Sequence, residues 1–380
     1  MAPPVLTHLG KHPVGWFMRE VWQRRPLLVR QAMPGFRSPV TREQLLRLAA
    51  RDDVESRCVS AARGRWTLAH GPFDPGALPS PARKRWTLLV QGLDLHLPAA
   101  RELLARFRFV SDARLDDLMA SYATDGGGVG PHVDSYDVFL IQAHGRRRWR
   151  ISRQRDQALV AGLPLKILAD FRPSAEWVLD PGDMLYLPPG VAHDGVAVGE
   201  CITLSVGFRA PAWQELAEPW FQHQADRARL PGRFADAGVA PTRHPGRLPV
   251  AMAAQAWQRL STLRPRKSDA VEVLLAHLTE PKAQVVFERP RRPPALGDFA
   301  RAAAAGRLAL RLDPRSRCLY AGRRFAINGE VAPPADFDPR LAQLADERRL
   351  AADSLKSAAP RLLARLHEWM AAGWLHRETR

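Results

Sequence analysis

The chain has 380 residues, 46% hydrophobic and 25% charged, the balance of a globular protein of two or three domains. No apolar run approaches the roughly 20 residues that cross a bilayer, and the first eight residues lack the basic-then-apolar order of a signal peptide, so a cytoplasmic protein with no membrane contact is expected. The net charge of +17 favours polyanions, or proteins that live among them, although an Ala-, Pro- and Arg-heavy composition also follows from GC-rich coding. No zinc-finger, homeodomain or helix-turn-helix signature points to direct base reading. Cys58, Cys201 and Cys318 are an odd, scattered set without CxxC, better suited to small buried hydrophobes than to disulfides or zinc.

In chain order, residues 1 to about 110 mix helix and strand. Residues 13–24 have helical spacing of Trp16, Phe17 and Val21, and Pro26 stops that helix ahead of a short strand over 27–30. Thr41 is placed to cap a helix carrying Leu45, Leu46 and Leu48, and 86–91 reads as a strand. From about 112 to 210 short strands alternate with Gly and Pro: 133–142, 147–152, 175–179, 184–187 and 201–208. That rhythm predicts an antiparallel barrel or sandwich. After Pro211 helices are predicted over 213–229, 251–263 and 271–278, the last opened by Ser268-Asp269, with a Pro/Gly/Arg-rich connection over 230–249. A strand over 285–287, a helix over 299–305, a hairpin within 308–327 and two amphipathic helices follow, which suggests a small winged-helix-like module.

Chemistry concentrates in the middle of the chain. His132 and Asp134 are two apart, so in a strand they aim an imidazole and a carboxylate at one point. That is two thirds of a facial triad, which leaves three metal positions open. The segment Asp180-Pro181-Gly182-Asp183-Met184-Leu185-Tyr186-Leu187-Pro188-Pro189-Gly190-Val191-Ala192-His193 reads as turn, strand, tight turn and histidine, able to return His193 over the first pair. Arg146, Arg147, Arg148 and Arg150 form a run of guanidinium groups, each able to bind a carboxylate bidentately. If His144-Gly145 closes a hairpin, alternation puts Arg147 and Trp149 on one face and the other three arginines on the opposite one.

These motifs carry a resemblance. GGGVGPHVDSYDVFLIQAHGRRRWRI (126–151), PGDMLYLPPGVAHDGVA (181–197) and SVGFRAP (205–211) are similar to the bacterial Jumonji C/cupin ribosomal oxygenases, and among these to the protein arginine hydroxylases. VWQRRPLLVRQA (21–32), LAHGPF (68–73) and, more weakly, RRFAINGE (323–330) extend it. The resemblance implies an α+β chain: a double-stranded β-helix catalytic domain over 1–211, a helical dimerisation region over 212–280 and a winged-helix-like module over 281–380. It implies Fe(II) on His132, Asp134 and His193, with 2-oxoglutarate and O₂ as co-substrates. The 2-oxoglutarate arginine falls on Arg147, with hydroxyl partners at Ser121 and at Thr203 or Ser205. Asp117 and Tyr136 fall where the family holds its target arginine. The implied partner is a large-subunit ribosomal protein, with ribosomal RNA met only indirectly. A homodimer is implied too, and Trp213, Trp220, Phe221, Val250, Met252 and Trp257 offer apolar surface for it. Rival functions on the same core are a histidyl hydroxylase, a demethylase or a non-enzymatic metal-binding cupin that regulates beside nucleic acid. One departure is Ala123-Thr124-Asp125, where the family runs a hydroxyl-rich strand into a proline; Asp125 is expected to change the charge of the co-substrate rim.

Overall fold

A computed structural model of the chain describes residues 4–378 apart from 34, 63, 64, 75, 239 and 242. Residues 1–3 of the amino-terminal stretch, and 239 and 242 of the connection 230–249, thus lie outside the described residues. The chain clusters into two units. The first holds residues 1–210 with the later stretches 282–288 and 313–315; the second holds 211–281, 289–312 and 316–380.

In the first unit a ribbon of β1 (His8–Leu9) and β2 (His12–Pro13) leads into α1 (Val14–Glu20), shorter than its apolar spacing suggests. β3 (Leu27–Val29) follows Pro26. α2 (Arg42–Ala49) opens with a reciprocal cap: Thr41 Oγ1 accepts from Gln44 N–H at 3.3 Å, and Gln44 Oε1 accepts from Thr41 N–H at 2.8 Å. Then come β4 (Ser56–Ala62), β5 (Arg65–His70), β6 (Trp86–Val90), α3 (Leu93–His96) and α4 (Pro98–Ala105). The barrel is completed by β7 (Leu115–Ala123), β8 (His132–Val133), β9 (Val138–Ser152), β10 (Ala175–Leu179), β11 (Met184–Leu187) and β12 (Ala192–Phe208). The sheet runs β3-β11-β9-β12-β7-β6-β4-β5, with β10 added on β9 and β8 on β12.

Two long strands organise this sheet. β9 does not turn back at His144-Gly145, as the sequence suggests; it continues for 15 residues, antiparallel to the 17-residue β12 along its length. The glycine serves a bulge instead: Gly145 has φ +59°, the register with β12 shifts beside it, and a Cβ there would lie 2.0 Å from Glu200 O. Side-chain parity changes accordingly. Val138 and Leu140 share an apolar cluster with Trp149 and Ile151, while Phe139 and Ile141 join the larger core with Phe17, Tyr186 and Phe208. The strand expected over 133–142 is likewise broken. Residues 134–137 leave the ladder because the buried Asp137 carboxylate accepts from Tyr186 O–H at 2.5 Å and from Gln23 Nε2 at 2.9 Å, and pairs with Arg114 at 2.9 Å.

The second unit contains α5 (Trp213–Arg227), α6 (Val250–Leu260), α7 (Lys267–Thr279) and α8 (Leu296–Ala304). β13 (Leu310–Leu312), β14 (Cys318–Ala321), β15 (Arg324–Ile327), β16 (Glu330–Ala332), α9 (Pro339–Glu347), β17 (Arg349–Leu350), α10 (Ala352–Leu355), α11 (Pro360–Ala371) and β18 (Leu375–Arg377) complete it. Phe299, Leu344, Leu366, Trp369 and Met370 lie in its core. The hairpin expected within 308–327 is confined to β14 and β15, because Pro314 separates them from β13, which pairs with β17 and β18 instead. Residues 285–287, expected as a strand, belong to the first unit and are irregular, since a strand needs an edge to pair with. All three cysteines are buried, and among the described residues no disulfide joins them. Among the described residues no helix is long and apolar enough to cross a membrane.

Candidate active site

His132 and His193 face each other across the β8–β12 pair as direct register partners, with ring centroids 4.2 Å apart. The turn Pro188-Pro189-Gly190 is tied to the first motif, since Gly190 N–H donates to Asp134 O at 2.9 Å and the glycine adopts φ +81°. Asp134 completes the cluster: His193 Nε2 stands 3.6 Å from its Oδ2 and His132 Nε2 4.0 Å from its Oδ1. One donor atom from each of the three residues lies within 4.8 Å of the others. The Nδ1 of His132 is 2.9 Å from Gly130 O, and that of His193 is 3.0 Å from Val191 O. A donating Nδ1–H leaves each Nε2 lone pair turned toward the carboxylate. Burial, then the neighbouring His132, pushes the His193 pKa down and favours the neutral form that binds metal. Two imidazoles and one carboxylate suit a divalent metal such as iron with open positions.

Deeper in the barrel, Arg147 is 4% exposed and donates from Nη1 to Ser121 Oγ at 3.0 Å. Its Nε and Nη2 are buried without a hydrogen-bond partner. A buried guanidinium with unspent donors needs an anion, so the residues fit a co-substrate carboxylate. Arg147 and Trp149 are buried while Arg146 and Arg148 are exposed, the parity expected from alternation on this stretch of β9. Trp149 packs toward the metal cluster, its ring 5.9 Å from that of His193. Ser121 and Thr203 are cross-strand partners, and Thr203 Oγ1 donates to Gln142 Oε1 at 2.9 Å. Ser205 is buried two residues further along β12, opposite Met119 and Leu140.

Asp117 lies on β7 four residues before Ser121 and is buried; its Oδ2 accepts from Gly92 N–H at 3.2 Å. Tyr136 is 40% exposed; burial of its hydroxyl and the negative charges of Asp134 and Asp117 push its pKa up. Asp125 makes local contacts: it pairs with Lys84 at 2.9 Å and accepts from Gly199 N–H at 3.0 Å. Three participants escape a reading of the sequence. Asp137 sits inside the quoted motif, yet nothing marks it as the anchor of the 134–137 break. Gln142 looks like one polar residue in an apolar strand. Lys282, which pairs with Asp117 at 3.0 Å, is 165 residues away in the chain.

A JmjC domain family model matches residues 102–216. The chain is 38% identical over 231 residues to "Ribosomal protein uL16 3-hydroxylase" of Escherichia coli K12, a match covering 60% of this chain and 61% of that protein. The match therefore spans less than two thirds of that relative's length. Among solved structures, E. coli YcfD superposes with a TM-score of 0.84 at 30% identity, covering 98% of this chain and 100% of that one. A structure of YcfD, a ribosomal oxygenase from E. coli, in complex with cobalt and 2-oxoglutarate gives a TM-score of 0.81 at 30% identity with the same coverage. Matched along the whole length of those solved relatives, with a metal-ligating His-Asp-His cluster in the matching barrel, the chain belongs to the JmjC-domain ribosomal oxygenase family.

Proposed function

We propose that the protein is an Fe(II)- and 2-oxoglutarate-dependent oxygenase that hydroxylates an arginine side chain of a large-subunit ribosomal protein. The observation that carries this reading is the buried Arg147 guanidinium with two unspent nitrogens, in the same barrel as the His132, Asp134 and His193 donors. On this reading those three residues hold the iron through Nε2, a carboxylate oxygen and Nε2. Arg147 takes the far carboxylate of 2-oxoglutarate, with Ser121 and either Thr203 or Ser205 as hydroxyl partners. When bound, the metal and co-substrate supply the oxidation: 2-oxoglutarate and O₂ yield succinate, CO₂ and one oxygen atom for a C–H bond. The chain's own part is to orient the target and exclude water.

Asp117 and Tyr136 take the target side chain, a carboxylate for the guanidinium and an aromatic face beside it. A buried carboxylate favours a cation over the neutral imidazole that a histidyl hydroxylase would receive. The E. coli relative is named for ribosomal protein uL16, and the same class of substrate is proposed here. The three-part division at 211 and 280, a winged-helix-like role for 281–380, a homodimer built on 212–280 and a cytoplasmic setting belong to the same proposal. The test is to incubate the protein with Fe(II), 2-oxoglutarate and ribosomal proteins in air. Succinate release should require both additions, and mass spectrometry should find one oxygen gained on an arginine. Succinate release independent of metal, or no oxygen gained on any ribosomal protein, overturns the proposal.

A further inference from the structure

Inside the barrel some hydrogen-bond donors are used by the chain itself and others are not. Gln142 Nε2 donates to His144 O at 2.9 Å and to Gly145 O at 3.3 Å, which makes its Oε1 the acceptor of the Thr203 hydroxyl. Thr203 Oγ1 is left with lone pairs only, of no use to a carboxylate. The unused donors are Nε and Nη2 of Arg147 and Nε1 of Trp149, all buried without a hydrogen-bond partner. An indole nitrogen can only donate, and its neighbours Leu140, Ile151, Leu179 and Leu185 offer no side-chain acceptor. Along β12, Arg147 lies opposite Ala197, Trp149 opposite Gly195 and Ile151 opposite His193, so Trp149 stands at the level between Arg147 and the metal donors. Its ring is 5.9 Å from that of His193, and the guanidinium carbon of Arg147 is 5.8 Å from the Trp149 ring centre. Cη2, Cζ3 and Cε3 of the ring face Gly195, where a Cβ would lie 2.7–2.9 Å from them. The N–H is on the opposite edge of the indole, turned away from β12.

We propose that the Trp149 indole N–H donates to the far carboxylate of 2-oxoglutarate, beside the Arg147 fork, and so helps to select a dicarboxylic co-substrate. The inference rests on reading Arg147 as the co-substrate arginine. A carboxylate has about four lone-pair sites on its two oxygens. Nε and Nη2 of Arg147 are the parallel pair that takes one site on each oxygen, and sites remain for a third donor. A buried donor without a partner is costly in the interior, and an anion that accepts from Arg147 and Trp149 together satisfies all three nitrogens at once. Unlike a hydroxyl, an indole cannot swing its proton away or turn to accept. Packing against Gly195 holds the ring, so the N–H is in place before the acid arrives. A 2-oxo acid that ends in a methyl group leaves the three nitrogens as they stand and gains nothing from them.

The experiment uses the full chain loaded with Zn(II), which is diamagnetic and supports no turnover, with its 11 tryptophans labelled with nitrogen-15. Each indole N–H gives one resonance, and Trp149→Phe identifies that of Trp149 by its loss. Adding 2-oxoglutarate should move this resonance downfield as the hydrogen bond forms. Adding 2-oxobutyrate, which has the same 2-oxo acid head and no far carboxylate, should not. Calorimetry on Trp149→Phe and Trp149→Leu, each checked for fold by circular dichroism, should find 2-oxoglutarate bound about tenfold or more weakly than by wild type and 2-oxobutyrate within about twofold. Wild-type affinity for 2-oxoglutarate in both variants overturns the proposal. Equal losses for the two acids overturn it too, because Trp149 then supports the metal end of the site instead. If neither variant folds, the wild-type spectrum decides, and no indole resonance moving downfield with 2-oxoglutarate overturns it. A wild type that binds no 2-oxoglutarate removes the proposed function and this inference together, whereas bound 2-oxoglutarate with an unmoved Trp149 resonance removes this inference alone.

Discussion

At the residue scale, the metal donors are preset by contacts inside their own segments. His132 turns Nδ1 to the carbonyl of Gly130 and His193 to that of Val191, each two residues back. His132→Ala and Asp134→Ala are therefore expected to abolish metal uptake and 2-oxoglutarate turnover while the barrel stays folded, as calorimetry and circular dichroism can test together. Arg147→Ala should raise the 2-oxoglutarate requirement by about 1.5–3 kcal/mol, the worth of a hydrogen bond to a charged group. Arg148→Ala should change it little, since Arg148 points outward toward Glu176 at 3.9 Å; equal Michaelis constants in the two variants would contradict the assignment. Asp94 adds a pH dependence. Burial, with the Asp117 charge beside it, pushes its carboxyl from 3.8 up to about 6. The folded chain thus holds this proton more tightly than the unfolded chain, so its contribution is complete below about pH 4 and is lost as pH rises through 6. Asp94→Asn keeps an acceptor for Leu118 N–H and removes the charge. Denaturant melts should show it more stable than wild type by about 1–3 kcal/mol at pH 8, with no gain at pH 4. The i, i+2 spacing of His132 and Asp134 is legible because two neighbours share one direction. Asp137 and Lys282 are not, because their roles depend on partners far off in the chain: Tyr186 and Arg114 for one, Asp117 for the other.

At the scale of elements, β9 and β12 bring the two halves of the site together. β12 carries His193 near its start and Thr203 and Ser205 near its end, while β9 carries Gln142, Arg147 and Trp149. Gly195 on β12 is the tight point between them: it pairs with Trp149, and a Cβ there would lie 2.7 Å from the indole ring. Gly195→Ala should force the ring toward His193, lowering stability by about 1–3 kcal/mol and weakening metal binding in the same titration. Unaltered metal affinity would separate Trp149 from the metal cluster. The sequence shows where β9 bends but not how. A Gly after His144 between strand-like runs suits a hairpin or a bulge equally, and only pairing with β12 decides between them. The Asn328-Gly329 pair is easier to read: both residues take positive φ, at +50° and +89°, and join β15 to β16 by a two-residue turn.

For the whole molecule, the apolar surface of the second unit stands out. Trp213 on α5 is 88% exposed, Phe221 70%, and Val250 and Trp257 on α6 74% each, more than a monomer normally leaves to water. Light scattering at micromolar concentration should find a dimer, and Trp213→Asp with Trp257→Asp should shift it toward monomer; a monomeric wild type would remove this part of the proposal. The barrel unit has another property that concerns how it is made. Its last residues, 313–315, lie about 100 positions after residue 210, beyond the helices α5, α6, α7 and α8. At synthesis rates of about 5–20 residues per second, roughly 5–20 s separate translation of the main barrel segment from translation of its final pieces. During the first part of that interval, until residue 282 is made, Asp117 has no Lys282 beside it, and the emerging barrel carries this carboxylate without that ammonium. Ribosome-stalled chains of graded length should gain protease resistance in the barrel in two steps, the second only after residue 315 has left the exit tunnel.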